Sequence, residues 1–180
     1  MADTPIRDAP MRRVLVVGCP GAGKSTFARR LGAKLGLRVI HLDFHYWRPG
    51  WQLPDAATWR KQVTELMAPP EWVVDGNYAN TFDIRMPRAD SMLWLDYPRA
   101  VCMRRVLKRI LKGYGQTRPD LPPGCPEKFD LEFLRFVWDF PRTQRPRIPA
   151  GLDQFGGHLR VTRFGCDRDA ENFLAALGVH

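Results

Sequence analysis

The stretch that decides the fold is VLVVGCPGAGKST, residues Val14 to Thr26. Val14-Leu15-Val16-Val17 is a continuous apolar run, the pattern of a strand buried on both faces of a parallel sheet. The glycine-rich turn Gly18 to Gly23 follows, and a helix is predicted from Lys24 to about Leu35. Ala28, Leu31 and Leu35 share one face of that helix, and Gly36 stops it. Leu37–Leu42 (LRVIHL) reads as the next strand, ending at Asp43. Strand, turn, helix and strand in this order make a βαβ unit with a right-handed crossover.

The turn fits G-x-x-x-x-G-K-[ST], and each position has a physical task. Glycines let the backbone wrap closely around an anion with its N–H groups pointing inward. The helix opening at Lys24 adds its positive dipole end. Lys24 suits the β- and γ-phosphates of a nucleotide, and the Ser25 hydroxyl suits Mg²⁺. The expected nucleotide contacts are therefore Gly18, Cys19, Pro20, Gly21, Ala22, Gly23, Lys24, Ser25 and Thr26, with ATP and Mg²⁺ as the ligands. Cys19 lies near Lys24 and a helix start, which favours a thiolate, but it reads better as a spacer in the loop.

Outward from this unit, Asp55 can cap a helix over about 56–67, closed by Pro69-Pro70. Strands are predicted at Trp72–Asp75, Met92–Leu95 and Leu159–Thr162. Helices are predicted over Arg99–Leu111, over Lys128–Phe140 with apolar residues on more than one face, and from an Asp167 cap to about Leu177. Prolines 119, 122, 123 and 126 make 113–127 a loop. The alternation gives an α/β fold, a five-stranded parallel sheet with helices on both faces. Residues 1–11 read as a flexible tail and 12–180 as a single domain, with an acceptor-binding insertion at 43–70 and a lid at 112–147.

Composition narrows the class. The chain has 180 residues, 44% apolar, enough for one core and too much for a disordered chain. Cys19, Cys102, Cys125 and Cys166 form no CxxC pair, which argues against zinc and a disulfide framework. No secretory signal or membrane span is evident, so a cytoplasmic location is expected. The net charge is +9, but it is local. Residues 99–147 carry 12 basic and 5 acidic side chains, net +7, whereas 1–98 carry +3 and 148–180 carry −1. A GTP switch would need a base-reading N-K-x-D, and none occurs. Motor-type and AAA-type ATPases usually exceed this length. What remains is a compact nucleoside monophosphate kinase-like domain.

GCPGAGKST, HLDFHYWRPGW, EWVVDGNY, LWLDYPR and GQTRPDLPPGCPE together resemble adenylate-kinase-like bacterial proteins often labelled "DNA topology modulation protein". These are similar to adenylate and shikimate kinases, and the likeness runs from about Arg12 through nearly the whole chain. It implies phosphoryl transfer rather than topoisomerase action. The sequence departs from adenylate kinases in having Ser25-Thr26 for Gly-Thr. It also lacks Gly-Phe-Pro-Arg after the third strand, which argues against AMP as acceptor.

Asp43 and Asp75 end the second and third strands, at the sheet edge where open α/β folds bind ligands. The resemblance gives Asp43 a place near the acceptor hydroxyl and Asp75 a Walker B-like role on Mg²⁺; capping of the following turn is the alternative for each. Asp96, after the fourth strand, reads as structural, and His41 as an ordinary core residue. Trp47 and its neighbours Phe44, His45, Tyr46 and Trp51 either stack on a ligand or form a small local core. Asn77, Tyr78, Arg85 and Arg88 are candidates for the acceptor, the two arginines as an anion clamp or as a solvated helix face. Arg104, Arg105, Lys108, Arg109 and Lys112 share the polar face of the 99–111 helix. The resemblance implies that some lid arginines, among Arg105, Arg109, Arg118, Arg142, Arg145 and Arg147, contact the transferring phosphoryl group. Catalytic roles are thus expected for Lys24, Asp43, Arg105, Arg109 and Arg142.

The expected function is transfer of the γ-phosphate of MgATP to a small hydroxyl- or phosphate-bearing acceptor. An ATP-dependent nucleic-acid-associated protein using the basic 99–147 segment is a less favoured alternative, as is a nucleotide-binding regulator without turnover.

Overall fold

The computed structural model describes residues 10–177. Its strands are β1 (Arg13–Gly18), β2 (Val39–His41), β3 (Trp72–Asp75), β4 (Ser91–Leu95) and β5 (Arg160–Phe164). They form one parallel sheet in the order β2-β3-β1-β4-β5. The helices are α1 (Lys24–Leu35), α2 (Leu42–Tyr46), α3 (Ala56–Leu66), α4 (Phe82–Arg85), α5 (Arg99–Gly113), α6 (Leu131–Thr143), α7 (Arg147–Phe155) and α8 (Asp167–Ala176).

Alternate side chains of a strand point to opposite faces, and β1 feeds two cores accordingly. Val14 and Val16 pack with Leu31 of α1, Val106 of α5, Phe140 of α6 and Leu174 of α8. Leu15 and Val17 pack with Trp59 and Val63 of α3, Ile148 of α7, and Met86. β1 lies between β3 and β4, with Val16 opposite both Asp75 and Leu93. The chain leaves β1 for β2 on one side and later leaves β3 for β4 on the other, so the strand order reverses here and a crevice opens at the carboxyl ends.

Several boundaries differ from the sequence expectation for local reasons. Gly36 adopts the left-handed conformation and Leu37 N–H bonds the Gly32 carbonyl, so Leu37 completes the helix cap rather than starting β2. β2 then ends at His41, because Leu42 turns into the core as the first residue of α2. Asp55 caps α3 as expected, accepting from Thr58 N–H at 2.9 Å. The Asp130 carboxylate accepts from Phe133 N–H at 3.1 Å, which delays α6 to Leu131. The N-cap of α8 is Cys166, and Asp167 lies in the first turn instead. α7 and α4 were not anticipated; Pro149 in the first turn of α7 costs no helical hydrogen bond there. Of the predicted lid, residues 131–143 are α6, whose Val137 and Phe140 belong to the main core.

Candidate functional site

The phosphate loop joins β1 to α1 over the crevice. Gly18 and Gly21 have φ of +148° and +85°. A β-carbon at either would press on a carbonyl oxygen, of Leu95 or of Cys102, so both positions require glycine. The Cys19 carbonyl accepts from Ala22 N–H at 3.0 Å and from Lys24 Nζ at 3.2 Å, folding the lysine back over the loop. The Cys19 side chain is buried against Val137 and Cys102. The neighbouring Cys102 and burial push its thiol pKa well up, so it is the spacer and not a thiolate. Thr26 is exposed, accepting only a long hydrogen bond from Arg29.

Two residues read as acceptor ligands brace this loop. Asn77 Oδ1 accepts from Gly18 N–H at 3.0 Å while Asn77 Nδ2 donates to the Gly18 carbonyl at 2.7 Å. Arg85 is fully buried, so it is neither a solvated face nor, in this conformation, an anion clamp. Its guanidinium donates to Thr81 Oγ1 at 3.0 Å and to the carbonyls of Gly76, Asn77 and Tyr78. Burial without a carboxylate partner pushes its pKa down to about 9. Arg88 lies elsewhere. The 3₁₀ turn Met86–Arg88 carries the chain back to the amino ends of β3 and β4, where Arg88 donates to the Ala68 carbonyl.

An acidic cluster lies beside Ser25. Asp75 is buried, its Oδ1 2.6 Å from His41 Nδ1, so His41 is a partner of the site and not an ordinary core residue. Burial lowers the His41 pKa, but Asp75 and Asp120 outweigh it and raise the pKa overall. Asp120, a buried residue of the 114–130 loop, accepts from Arg118 at 3.0 Å, and the nearby Ser25 hydroxyl favours its charged form. Burial raises its carboxyl pKa, yet Arg118 and Ser25 together hold it below the usual carboxylate range. Among the described residues no group of three or more His, Cys, Asp or Glu makes a metal cage. Mg²⁺ is usually held by one or two carboxylates together with substrate phosphates and water. A hydroxyl and two carboxylates, all hard oxygen donors, therefore fit a magnesium ion that arrives with a nucleotide.

Two residues beyond His41, Asp43 sits in the first turn of α2, where Tyr78 O–H donates to its Oδ1 at 2.6 Å. Burial and the Asp43 charge keep the phenol protonated, with its pKa well above the ordinary value. The aromatic segment divides between the two readings open to it. Tyr46 packs on Trp59 and Tyr78, a local core. Trp47 packs edge-on against Trp51, whose Nε1 donates to the Pro126 carbonyl. Gly50 N–H also bonds the Gly124 carbonyl at 2.8 Å, so residues 48–52 dock on the 114–130 loop.

The cations of α5 do not act as one face. Arg109 turns inward with Arg118, their Nε atoms 2.9 and 2.7 Å from the same Glu127 Oε1. None of these contacts is aligned as a hydrogen bond, and Glu127 is buried. Burial and the Arg118 charge lower the Arg109 pKa. Arg105 pairs with Asp167 and stacks on Tyr97. Arg145 binds Asp96 through two hydrogen bonds of 2.8 Å, so Asp96 is structural as read. Arg142 is exposed on α6 and has no ion-pair partner among the described residues. Arg104, Lys108 and Lys112 face outward toward Trp138.

His41, Asp120 and Glu127 escaped the sequence reading. For Asp120 and Glu127 the available signal was the loop itself: two acids in a proline-rich segment between blocks of basic residues.

Comparison with known proteins agrees with this architecture. Residues 14–120 match the model of a family described as an AAA domain. The adenylate kinase of Clavibacter michiganensis subsp. michiganensis (strain NCPPB 382) is 28% identical over 109 residues, 59% of this chain and 53% of that protein. The chain thus spans about half the length of the curated relative it matches. A shikimate kinase from Acinetobacter baumannii in complex with shikimate superposes over 91% of each chain, with a TM-score of 0.55 and 18% identity. A sugar kinase from Janibacter sp. HTCC2649 covers 92% of this chain and 91% of its own, with a TM-score of 0.52 and 17% identity. These two solved structures share the fold. The expectation that chain length excludes an AAA-type assignment is corrected by the family match, which runs from β1 to Asp120 and includes the whole phosphate loop. The chain belongs to the AAA domain family of P-loop proteins.

Proposed function

We propose that this protein is a phosphotransferase that moves the γ-phosphate of MgATP to a small acceptor bearing a hydroxyl or phosphate. The observation that carries the proposal is that two adjacent residues tie Asp43 to the phosphate loop, Asn77 bonding Gly18 and Tyr78 bonding Asp43. Lys24 and Ser25 lie in a loop that only glycine can form, and Asp43 is held by Tyr78 in the first turn of α2, just past β2. The adenylate kinase likeness and the kinase fold support it.

In this reading the backbone amides of 18–25 and Lys24 hold the triphosphate, and Ser25, Asp75 and Asp120 hold its metal. Mg²⁺ when bound neutralises charge developing on the β- and γ-phosphates. Tyr78 fixes one oxygen of Asp43 and leaves the other to orient the acceptor hydroxyl. The acceptor oxygen forms the new bond to phosphorus, the bond to the β–γ bridging oxygen breaks, ADP leaves, and Asp43 receives the proton. Arg118, bonded to Asp120, and Arg109 beside it are the arginines that would stabilise the transferring group, a role that one arginine can make worth about 10³-fold or more. An acceptor consisting of AMP gains nothing from Arg85 or Arg88, since one is sequestered and the other is remote.

The test is ADP release at fixed MgATP across a panel of hydroxylated and phosphorylated metabolites, with duplex DNA as a further arm. Stimulation by a metabolite, and its loss by at least about 10²-fold in Lys24→Ala with the melting temperature retained, is expected. Stimulation by DNA alone, or full turnover in Lys24→Ala, overturns the proposal.

A further inference from the structure

The surface between α5 and α6 is out of keeping with a finished exterior. Met103, Leu107 and Leu111 repeat every four residues along α5, and with Ala100 and Trp138 of α6 they floor a groove of about 630 Å³. Leu111 is 81% exposed and Trp138 51%. Phe136 and Leu131 of α6 are exposed as well, while only Val137 and Phe140 of that helix are fully buried. An exposed apolar patch rimmed by polar groups marks an interaction surface.

The rim gives the sign of the partner. Arg104, Lys108 and Lys112 form a second row beside the apolar one, also every four residues, so neighbours stand about 6 Å apart along the axis. All three are exposed, and none has an ion-pair partner among the described residues. Arg99 closes one end, its guanidinium 4.1 Å over the Trp138 ring. The acid beside Trp138 on α6, Asp139, is engaged by Arg135. An apolar row and a cationic row of the same period are the complement of an amphipathic helix with apolar residues at i, i+4 and i+8 and carboxylates beside them. A second copy of this chain would set like-charged rows against each other. A nucleic acid has no apolar face to cover Leu107 and Leu111, and a lipid surface suits a protruding face rather than a groove.

We propose that the α5–α6 groove docks an acidic amphipathic helix of a partner protein, with its apolar residues against Met103, Leu107, Leu111 and Trp138 and its carboxylates along Arg104, Lys108 and Lys112. The site is separate from the phosphate loop, and its test does not depend on turnover.

The probe is a fluorescein-labelled peptide of about 18 residues, with leucine and glutamate in four-residue register and a side-chain staple to hold the helix. It is titrated into the full chain by anisotropy. Controls are a scrambled peptide of the same composition, a DNA duplex and phosphatidylglycerol vesicles. Saturable binding at least about tenfold tighter than the scrambled peptide is expected. Lys108→Glu and Leu111→Ser, both at exposed positions, should each weaken it about tenfold while leaving the thermal melt of the protein unchanged. Absence of saturable binding, equal binding of the scrambled peptide, insensitivity to both substitutions, or tighter binding of DNA or vesicles overturns the proposal.

Discussion

Asn77 shows how a single side chain can serve a ligand site without meeting the ligand. Its amide offers a donor and an acceptor from one planar group, and both are spent on Gly18, the first residue of the phosphate loop. Arg85 fixes the asparagine in turn, because its guanidinium holds the carbonyls of residues 76–78. Two half-buried hydrogen bonds contribute roughly 1–3 kcal/mol together. Asn77→Ala is therefore expected to lower unfolding stability in urea by about that much. It should also weaken MgATP binding about tenfold by calorimetry, because the cradle is no longer held against β3. A loss of stability with unchanged affinity would mean that the loop keeps its shape without the brace.

Between elements, the comparable join is Asp96 with Arg145. Asp96 ends β4, Arg145 begins the turn from α6 to α7, and Arg163 of β5 approaches the same carboxylate. Burial raises the Asp96 pKa, but Arg145 and Arg163 reverse this and hold it below the ordinary carboxylate value. A depressed folded-state pKa contributes stability that is present above the unfolded value, about 3.9, and is lost as pH falls through the folded one. Asp96→Asn should thus destabilise by about 1–2 kcal/mol at pH 7, since both arginines are partly exposed and screened. The gap from the parent should close as pH drops below 4 in parallel denaturant titrations; a gap independent of pH would show that the charge is not the source. This join also marks where sequence stops being informative. The strand–loop–helix at 13–35 was legible because its signals are local: an apolar run, fixed glycines, a helix period and a Gly36 stop. Asp75 was legible as a strand end, whereas Asp43, read as ending β2, lies two residues past it in the first turn of α2. Asp96 with Arg145, 49 residues apart, and the burial of Arg85 depend on packing between distant segments, which neither period nor spacing encodes. Arg88, an acceptor candidate by sequence, follows a turn that runs back to the amino ends of β3 and β4, a change of direction with no composition signal.

At the scale of the whole molecule the excess charge divides into two populations with different partners. Arg104, Lys108 and Lys112 face outward with no ion-pair partner among the described residues, whereas Arg109 and Arg118 converge on one buried glutamate of the loop that also carries Asp120. Two partly buried guanidiniums sharing one oxygen form an arrangement that a second anion can improve. Glu127→Gln removes the shared negative charge and leaves the two cations opposed, a loss on the order of 2–4 kcal/mol. The melting temperature without nucleotide should fall by roughly 5–10 °C. MgATP brings several negative charges to the Ser25 side of the same loop and stabilises whichever form it binds. If Arg109 and Arg118 reach those phosphates, the nucleotide replaces the missing carboxylate, and the MgATP-induced rise in melting temperature should be larger in Glu127→Gln than in the parent protein. An equal or smaller rise would place both arginines outside the triphosphate site and leave Glu127 as a purely structural counterion.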